Sequence, residues 1–135
     1  MSIRLQFDRI PPGAEIGPHR HGVETLLYLA AGEIVFEHGP RLGRRALVRA
    51  GDALYVAPAE YHRLRNGSSI DALALLAAVE VDPGRPGDVL RTWDEEGEPI
   101  RRREAARVVD GPGIRTRVLV EPGDFGTTAF SLGEV

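Results

Sequence analysis

Gly13-Ala14-Glu15-Ile16-Gly17-Pro18-His19-Arg20-His21 is the stretch on which the reading of this chain turns. Its counterpart is Gly51-Asp52-Ala53-Leu54-Tyr55-Val56-Ala57-Pro58-Ala59-Glu60-Tyr61-His62-Arg63-Leu64-Arg65-Asn66. Side chains on a β-strand alternate between faces, so an H-x-H step aims two imidazoles into one space. His62, forty-one residues after His21, supplies a third from a neighbouring strand. Three such groups complete one face of a metal's coordination sphere. Nitrogen donors suit Fe, Mn, Ni, Cu or Zn, with no choice among them from sequence.

Around these stretches the chain is a series of short apolar runs separated by turns. Ile3 to Ile10 alternates Ile3, Leu5 and Phe7 with Arg4, Gln6 and Asp8 and reads as a half-buried strand. Pro11-Pro12-Gly13 turns it. An extended segment begins at His19-His21, continues through Thr25-Leu26-Leu27-Tyr28-Leu29 and stops at Ala31-Gly32. Strands are predicted at 33–37, 45–49, 53–56, 62–66 and, as a continuous apolar run, 70–81. Residues 82–99 are rich in Pro, Gly and acidic side chains, a connector with Trp93 as its anchor. Strands at 114–120 and 125–132 follow. Five Pro-Gly pairs, at 12, 83, 86, 112 and 122, read as tight turns between short elements. Such spacing favours an all-β protein.

Composition excludes several functions. At 135 residues the chain suits a single domain with material for a core. A net charge of −3, with no basic run interleaved with aromatics, lacks the footprint of a nucleic-acid binder. Arg101-Arg102-Arg103 lies among acidic residues and reads as a solvated face. Cysteine is absent, which removes disulfides, thiolate nucleophiles and Cys-based metal sites. The N-terminus has no apolar leader core, and no run approaches the roughly 18 apolar residues of a membrane span. A cytoplasmic protein is expected. No phosphate-binding glycine loop and no G-x-S-x-G elbow is present.

The two stretches resemble the paired motifs of the cupin superfamily. Gly13, His19, His21 and Gly32 fit the first motif; Gly51, His62 and Asn66 fit the second. Residues 33–50 form a compact spacer, and the resemblance covers about residues 3–80. Two departures stand out. Counting back from Gly32, the family's glutamate position holds Thr25, and the nearby carboxylate, Glu24, sits one residue early. A one-residue shift on a strand turns a side chain to the opposite face. The second motif has Pro58 one place late and Ala59 where glycine is usual. The segment 118–135 resembles the strands that precede the first motif in many cupins, including polyketide-cyclase-like ones. The pieces therefore look rotated, as in a circular permutation or half of a two-cupin chain.

The resemblance implies an all-β double-stranded β-helix, a jelly-roll barrel, permuted or strand-swapped. One domain, 1–135, would comprise a motif-bearing core at 3–80, a connector at 82–99, and C-terminal strands at 114–132. Those strands would complete the barrel of this chain or of a homodimer partner. In the metal reading, His19, His21 and His62 bind one divalent transition metal, and Glu24 is the candidate fourth ligand or a rim base. In the alternative, the histidines are core or rim residues of a metal-free barrel.

Thr25, Leu27, Leu29, Leu64 and Tyr55 are the expected pocket residues, giving an apolar cavity with a polar floor. Tyr55 and Tyr28 also suit core packing. Arg63 and Arg65 should face away from the metal, and His38 reads as a surface-turn residue. The implied function is an enzyme of oxygenase, isomerase or cyclase type, an oxidoreductase among the possibilities, acting on a small oxygenated organic molecule. The competitor is a non-catalytic metal- or metabolite-binding module for sensing or storage.

Overall fold

The chain folds as an all-β jelly-roll barrel of antiparallel sheets. A computed structural model describes residues 3–19, 23–56, 60–80, 100–120 and 132–134. In chain order its strands are β1 (Ile3–Ile10), β2 (Glu15–His19), β3 (Val23–Ala31), β4 (Glu33–His38), β5 (Arg44–Arg49) and β6 (Ala53–Val56). They continue with β7 (His62–Arg65), β8 (Ala72–Glu80), β9 (Ile100–Arg101), β10 (Arg107–Gly111), β11 (Ile114–Val120) and β12 (Leu132–Glu134). One sheet has the order β1-β8-β3-β6-β9 and the facing sheet the order β2-β7-β4-β5. Among the described residues no helix is long and apolar enough to cross a membrane.

The two sheets meet through their alternating inner positions. Ile10, Leu27, Leu29, Leu54, Val56, Ala72, Ala74 and Ile100 from the first sheet pack against Ile34, Phe36, Ala46, Val48 and Leu64 from the second. Phe36, Leu29, Ile34, Leu54 and Val48 are sealed from solvent and close one end of the barrel. Alanine at 72, 74 and 78 keeps the inner face of β8 shallow, which leaves room between the sheets towards the other end.

The motif residues other than histidine shape the turns. Gly13, Gly32 and Gly51 all have positive φ, where a side chain is strained. Gly32 has a second reason: a Cβ there would lie 2.6 Å from the Asp71 carbonyl oxygen, so β3 and β8 could not approach. Asn66 is fully buried and acts as a fastener. Its amide nitrogen donates to the carbonyls of Ile10 and Ile70, both at 2.8 Å, and its oxygen accepts from the Ser68 backbone and hydroxyl. Its own carbonyl accepts the Gly13 N–H at 2.7 Å. One residue thus ties the end of β1, the turn before β2 and the exit from β7.

Several sequence expectations change. The extended segment expected from His19 through Leu29 is not one strand: β2 ends at His19 in one sheet and β3 begins at Val23 in the other. Strand β2 over Glu15–His19 and strand β10 over Arg107–Gly111 carry no alternation clear enough to predict them. On β1 the polar set faces inward: Arg4, Gln6 and Asp8 line a cavity, while Leu5 and Phe7 are 70% and 63% exposed. Alternation gives the period of a strand; what lies opposite decides which face is inner.

The C-terminal part attaches by its beginning. β9 pairs with β6, and Asp52 accepts from the Arg103 backbone N–H at 3.1 Å and the Arg102 guanidinium at 2.9 Å. Among the described residues, β11 pairs with β10 and β12 in a separate three-stranded sheet, and neither barrel sheet includes it. Trp93 and most of the expected strand 125–132 lie outside the described residues.

Candidate functional site

The barrel's open end holds a cavity of about 240 Å³. His62 and Leu64 from β7, Ile16 from β2, and Thr25 and Leu27 from β3 line it, with Val56 and the inner positions of β8. The fourth side is the polar ladder Arg4, Gln6 and Asp8 of β1. The volume suits a compact ligand, because drug-sized molecules occupy roughly 300–1,000 Å³.

His62 is buried and its orientation is fixed. Its Nδ1 lies 2.9 Å from the Glu60 carbonyl oxygen. A carbonyl oxygen only accepts, so this bond requires Nδ1 to carry the proton. In the neutral ring Nε2 then keeps its lone pair, the form in which imidazole ligates a metal or accepts a proton. Phe36 supports the ring, with centroids 6.0 Å apart.

The backbone of His19 is the cross-strand partner of His62. That pairing depends on an irregularity absent from the sequence reading. Between the pairs Ile16–Leu64 and His19–His62, β2 contains one more residue than β7, a bulge at Gly17-Pro18 where Gly17 has φ 90°. The His19 side chain and all of His21 lie outside the described residues. Among the described residues no three His, Asp or Glu side chains converge as a metal-binding group.

Glu24 and Thr25 part company as the one-residue offset implies. Thr25 lines the cavity. Glu24 is on the opposite face of β3, only 2% exposed, and its carboxylate accepts the Tyr55 hydroxyl at 2.8 Å. Tyr55, expected among the pocket residues, stands on that same far face. In the β3–β6 register Thr25 pairs with Val56 and Leu26 with Tyr55, so Val56 takes the cavity position. Leu29 shares the inner face with Leu27 but packs in the closed core, beyond the cavity lining.

His38 is a second residue that sequence reading misplaced. It is 3% exposed, not on a surface turn, and its Nδ1 lies 3.0 Å from Glu60 Oε1. Its ring stacks on Phe36 at 4.6 Å and 14°. The signal was available: Ile34, Phe36 and His38 are alternate residues of one strand, and the first two are plainly core. On the outer face of the same strands, Glu37 takes a charged hydrogen bond from Arg63 and forms an ion pair with Arg65 at 2.9 Å. The Arg63 hydrogen bond, reinforced by both positive charges, holds the Glu37 carboxyl below its ordinary range, against the opposing effect of burial. Arg63 and Arg65 thus face away from the cavity.

Comparison with known proteins agrees with this architecture. Residues 6–79 match the family model described as Cupin domain. The oxalate-binding protein of Thermotoga maritima is 32% identical over 72 residues, which are 53% of this chain and 56% of that protein. Among solved structures, a predicted oxalate decarboxylase from Thermotoga maritima superposes with a TM-score of 0.52 at 27% identity, over 57% of this chain and 65% of that one. A sugar phosphate isomerase of the cupin superfamily from Silicibacter pomeroyi gives 0.52 at 14% identity, over 60% of this chain and 52% of that one; this shows the fold alone. The match spans little more than half of the curated relative's length.

Proposed function

Because the chain belongs to the cupin domain family, we propose that it is a small-molecule cupin that holds one divalent transition metal (Fe, Mn, Ni, Cu or Zn) through His19, His21 and His62. The observation that carries this reading is the Nδ1–carbonyl bond of His62, which leaves a ligating nitrogen on a ring that lines the cavity. The β2–β7 register supports His19 as its neighbour in the donor set. Glu24 is left out of that set, since its carboxylate is engaged by Tyr55 on the far face. When bound, such an ion supplies Lewis acidity towards a carbonyl or carboxylate oxygen and lowers the pKa of bound water.

The chain's own residues do the selecting. Thr25, Leu27, Leu64, Val56 and Ile16 give a small apolar chamber that excludes bulk water from one side of a ligand. Arg4 gives the opposite wall a guanidinium suited to carboxylate oxygens. Among the described residues its side chain makes no hydrogen bond or ion pair. Asp8 is already engaged by the Gln6 amide at 2.8 and 2.9 Å, which holds the two together as one polar strip. A compact oxygenated molecule bearing a carboxylate fits this division, and oxalate, named for the curated relative, is the first ligand to test.

The activity we favour is an enzyme of oxygenase, isomerase or cyclase type, working in the cytoplasm as a homodimer whose C-terminal strands, paired among themselves within the chain, complete the partner's barrel. A second reading, a non-catalytic metal- or metabolite-binding module, is favoured by the curated relative being a binding protein.

Metal analysis of protein purified without chelators tests the core of this. Near-stoichiometric metal and a lower Tm in EDTA are expected, because a ligand of the folded state stabilises it by mass action. Metal-free protein with an EDTA-insensitive Tm defeats the metal site. Incubation with oxalate then separates the readings: a transformed ligand means an enzyme, and a bound but unchanged one a binding module. Light scattering on a sizing column reports the dimer.

A further inference from the structure

His62 is oriented by a backbone carbonyl only two residues away, and such a local bond is only as firm as the loop that presents it. Two tethers from the end of β4 hold that loop. The first is the 3.0 Å contact between His38 Nδ1 and Glu60 Oε1, both atoms sealed from solvent. The second is the Gly39 N–H, which donates to the Tyr61 carbonyl at 3.1 Å. His38 and His62 are cross-strand partners on β4 and β7, and Phe36 lies against both rings. The buried side chains of His38, His62 and Phe36 and the half-buried Glu60 form one unit beside the cavity, and His38 itself is absent from the cavity lining.

We propose that His38 is a positioning residue: by clamping the Glu60 side chain it fixes the Glu60 carbonyl, which in turn fixes His62 as its Nδ1–H tautomer with Nε2 directed to the ligand. Glu60 opens the approach to β7, and rotation about its backbone would swing the carbonyl away from the imidazole. Histidine in water prefers the proton on Nε2, which would block ligation, so the ring needs an external acceptor to hold the other form. Groups that orient a ligating imidazole in this way typically change metal affinity by about 10- to 100-fold when removed. A burial role alone would require none of this chemistry, since Phe or Leu fills such a site without an ionisable group next to a carboxylate.

The tautomer arm of the test is independent of whether metal binds; the affinity arm rests on the metal reading above. Long-range proton–nitrogen NMR of the metal-free protein reports which ring nitrogen of His62 is protonated. The wild type is expected to show Nδ1–H. His38→Phe keeps the stack on Phe36 but loses the clamp, and Glu60→Ala loses it from the other side. Both should shift His62 towards Nε2–H. Glu60→Gln, which keeps a side-chain oxygen in place, should retain the wild-type pattern.

Zn(II) titration of the same proteins should show weakening of about 10- to 100-fold for His38→Phe and Glu60→Ala. Glu60→Gln should stay near wild type. If His38→Phe fails to fold, the two Glu60 variants carry the comparison. An unchanged His62 spectrum in the folded clamp-less variants overturns the proposal. A shifted spectrum in a protein that never bound metal upholds it and overturns the metal site instead.

Discussion

Strands β1 and β7 face the same cavity with opposite polarity. On β7 the inner residues are His62 and Leu64 and the outer ones Arg63 and Arg65, the arrangement that alternation leads one to expect. On β1 the inner residues are Arg4, Gln6 and Asp8, and the outer ones include exposed Leu5 and Phe7. Both obey a period of two. The difference is position: β7 stands between β2 and β4 in the middle of its sheet, while β1 is an edge strand that walls the open end. A barrel built around a ligand needs one wall that meets solvent and polar groups, and the edge strand supplies it.

Matched substitutions break or sharpen this contrast. The largest difference is expected between Leu64→Ser and Leu5→Ser. The first removes a buried side chain and buries a hydroxyl, at about 3 kcal/mol or more; the second should stay within about 0.5 kcal/mol. Urea denaturation of both variants measures it, and equal losses would mean that the β1 faces are assigned the wrong way round. Next is Asn66→Ala, which removes the amide donor from the buried Ile10 carbonyl and one of the donors to the Ile70 carbonyl, and should cost about 2 kcal/mol by the same assay. A loss as small as that of Leu5→Ser would show that β1 is not held through Asn66.

Arg4→Gln should leave the urea midpoint unchanged while weakening oxalate binding about tenfold by calorimetry, as expected for loss of a charged hydrogen bond. Unchanged affinity would remove β1 from ligand recognition. The smallest effect lies on the outer face of β7. The Glu37 carboxyl is depressed by Arg63 and Arg65, so its stabilisation is present above the ordinary carboxylate value of 4.5 and disappears as pH falls through its lower folded value. Glu37→Gln should therefore lower Tm at pH 6 and converge with the wild type once the pH has fallen below that folded value. A gap that widens on acidification would contradict the assigned partners.

How much of this was legible beforehand depends on distance along the chain. The glycines at 13, 32 and 51 and the asparagine at 66 mark turns through local backbone chemistry, and the family pattern preserved them. The offset of Glu24 from Thr25 is likewise a local matter of parity, and the strand separates the two. Inversion of β1 was hidden, because it depends on what the far sheet leaves open. The β2 bulge was hidden too: Gly17-Pro18 reads as a breaker, and only pairing with β7 shows that the extra residue brings His19 opposite His62. His38 failed for another reason. Its neighbour Gly39 suggested a turn, and that cue outweighed the alternation with Ile34 and Phe36 that places it in the core.

The central claim is that His62, held by the Glu60 carbonyl and facing the polar wall of β1, is a metal-ligating residue of a small-molecule site. A crystal structure with anomalous scattering at a transition-metal edge tests it most directly. The account predicts a single strong peak in the cavity within bonding distance of His62 Nε2, lost in His62→Ala. A peak elsewhere, or a fully ordered cavity without one in protein grown with added metal, would contradict it.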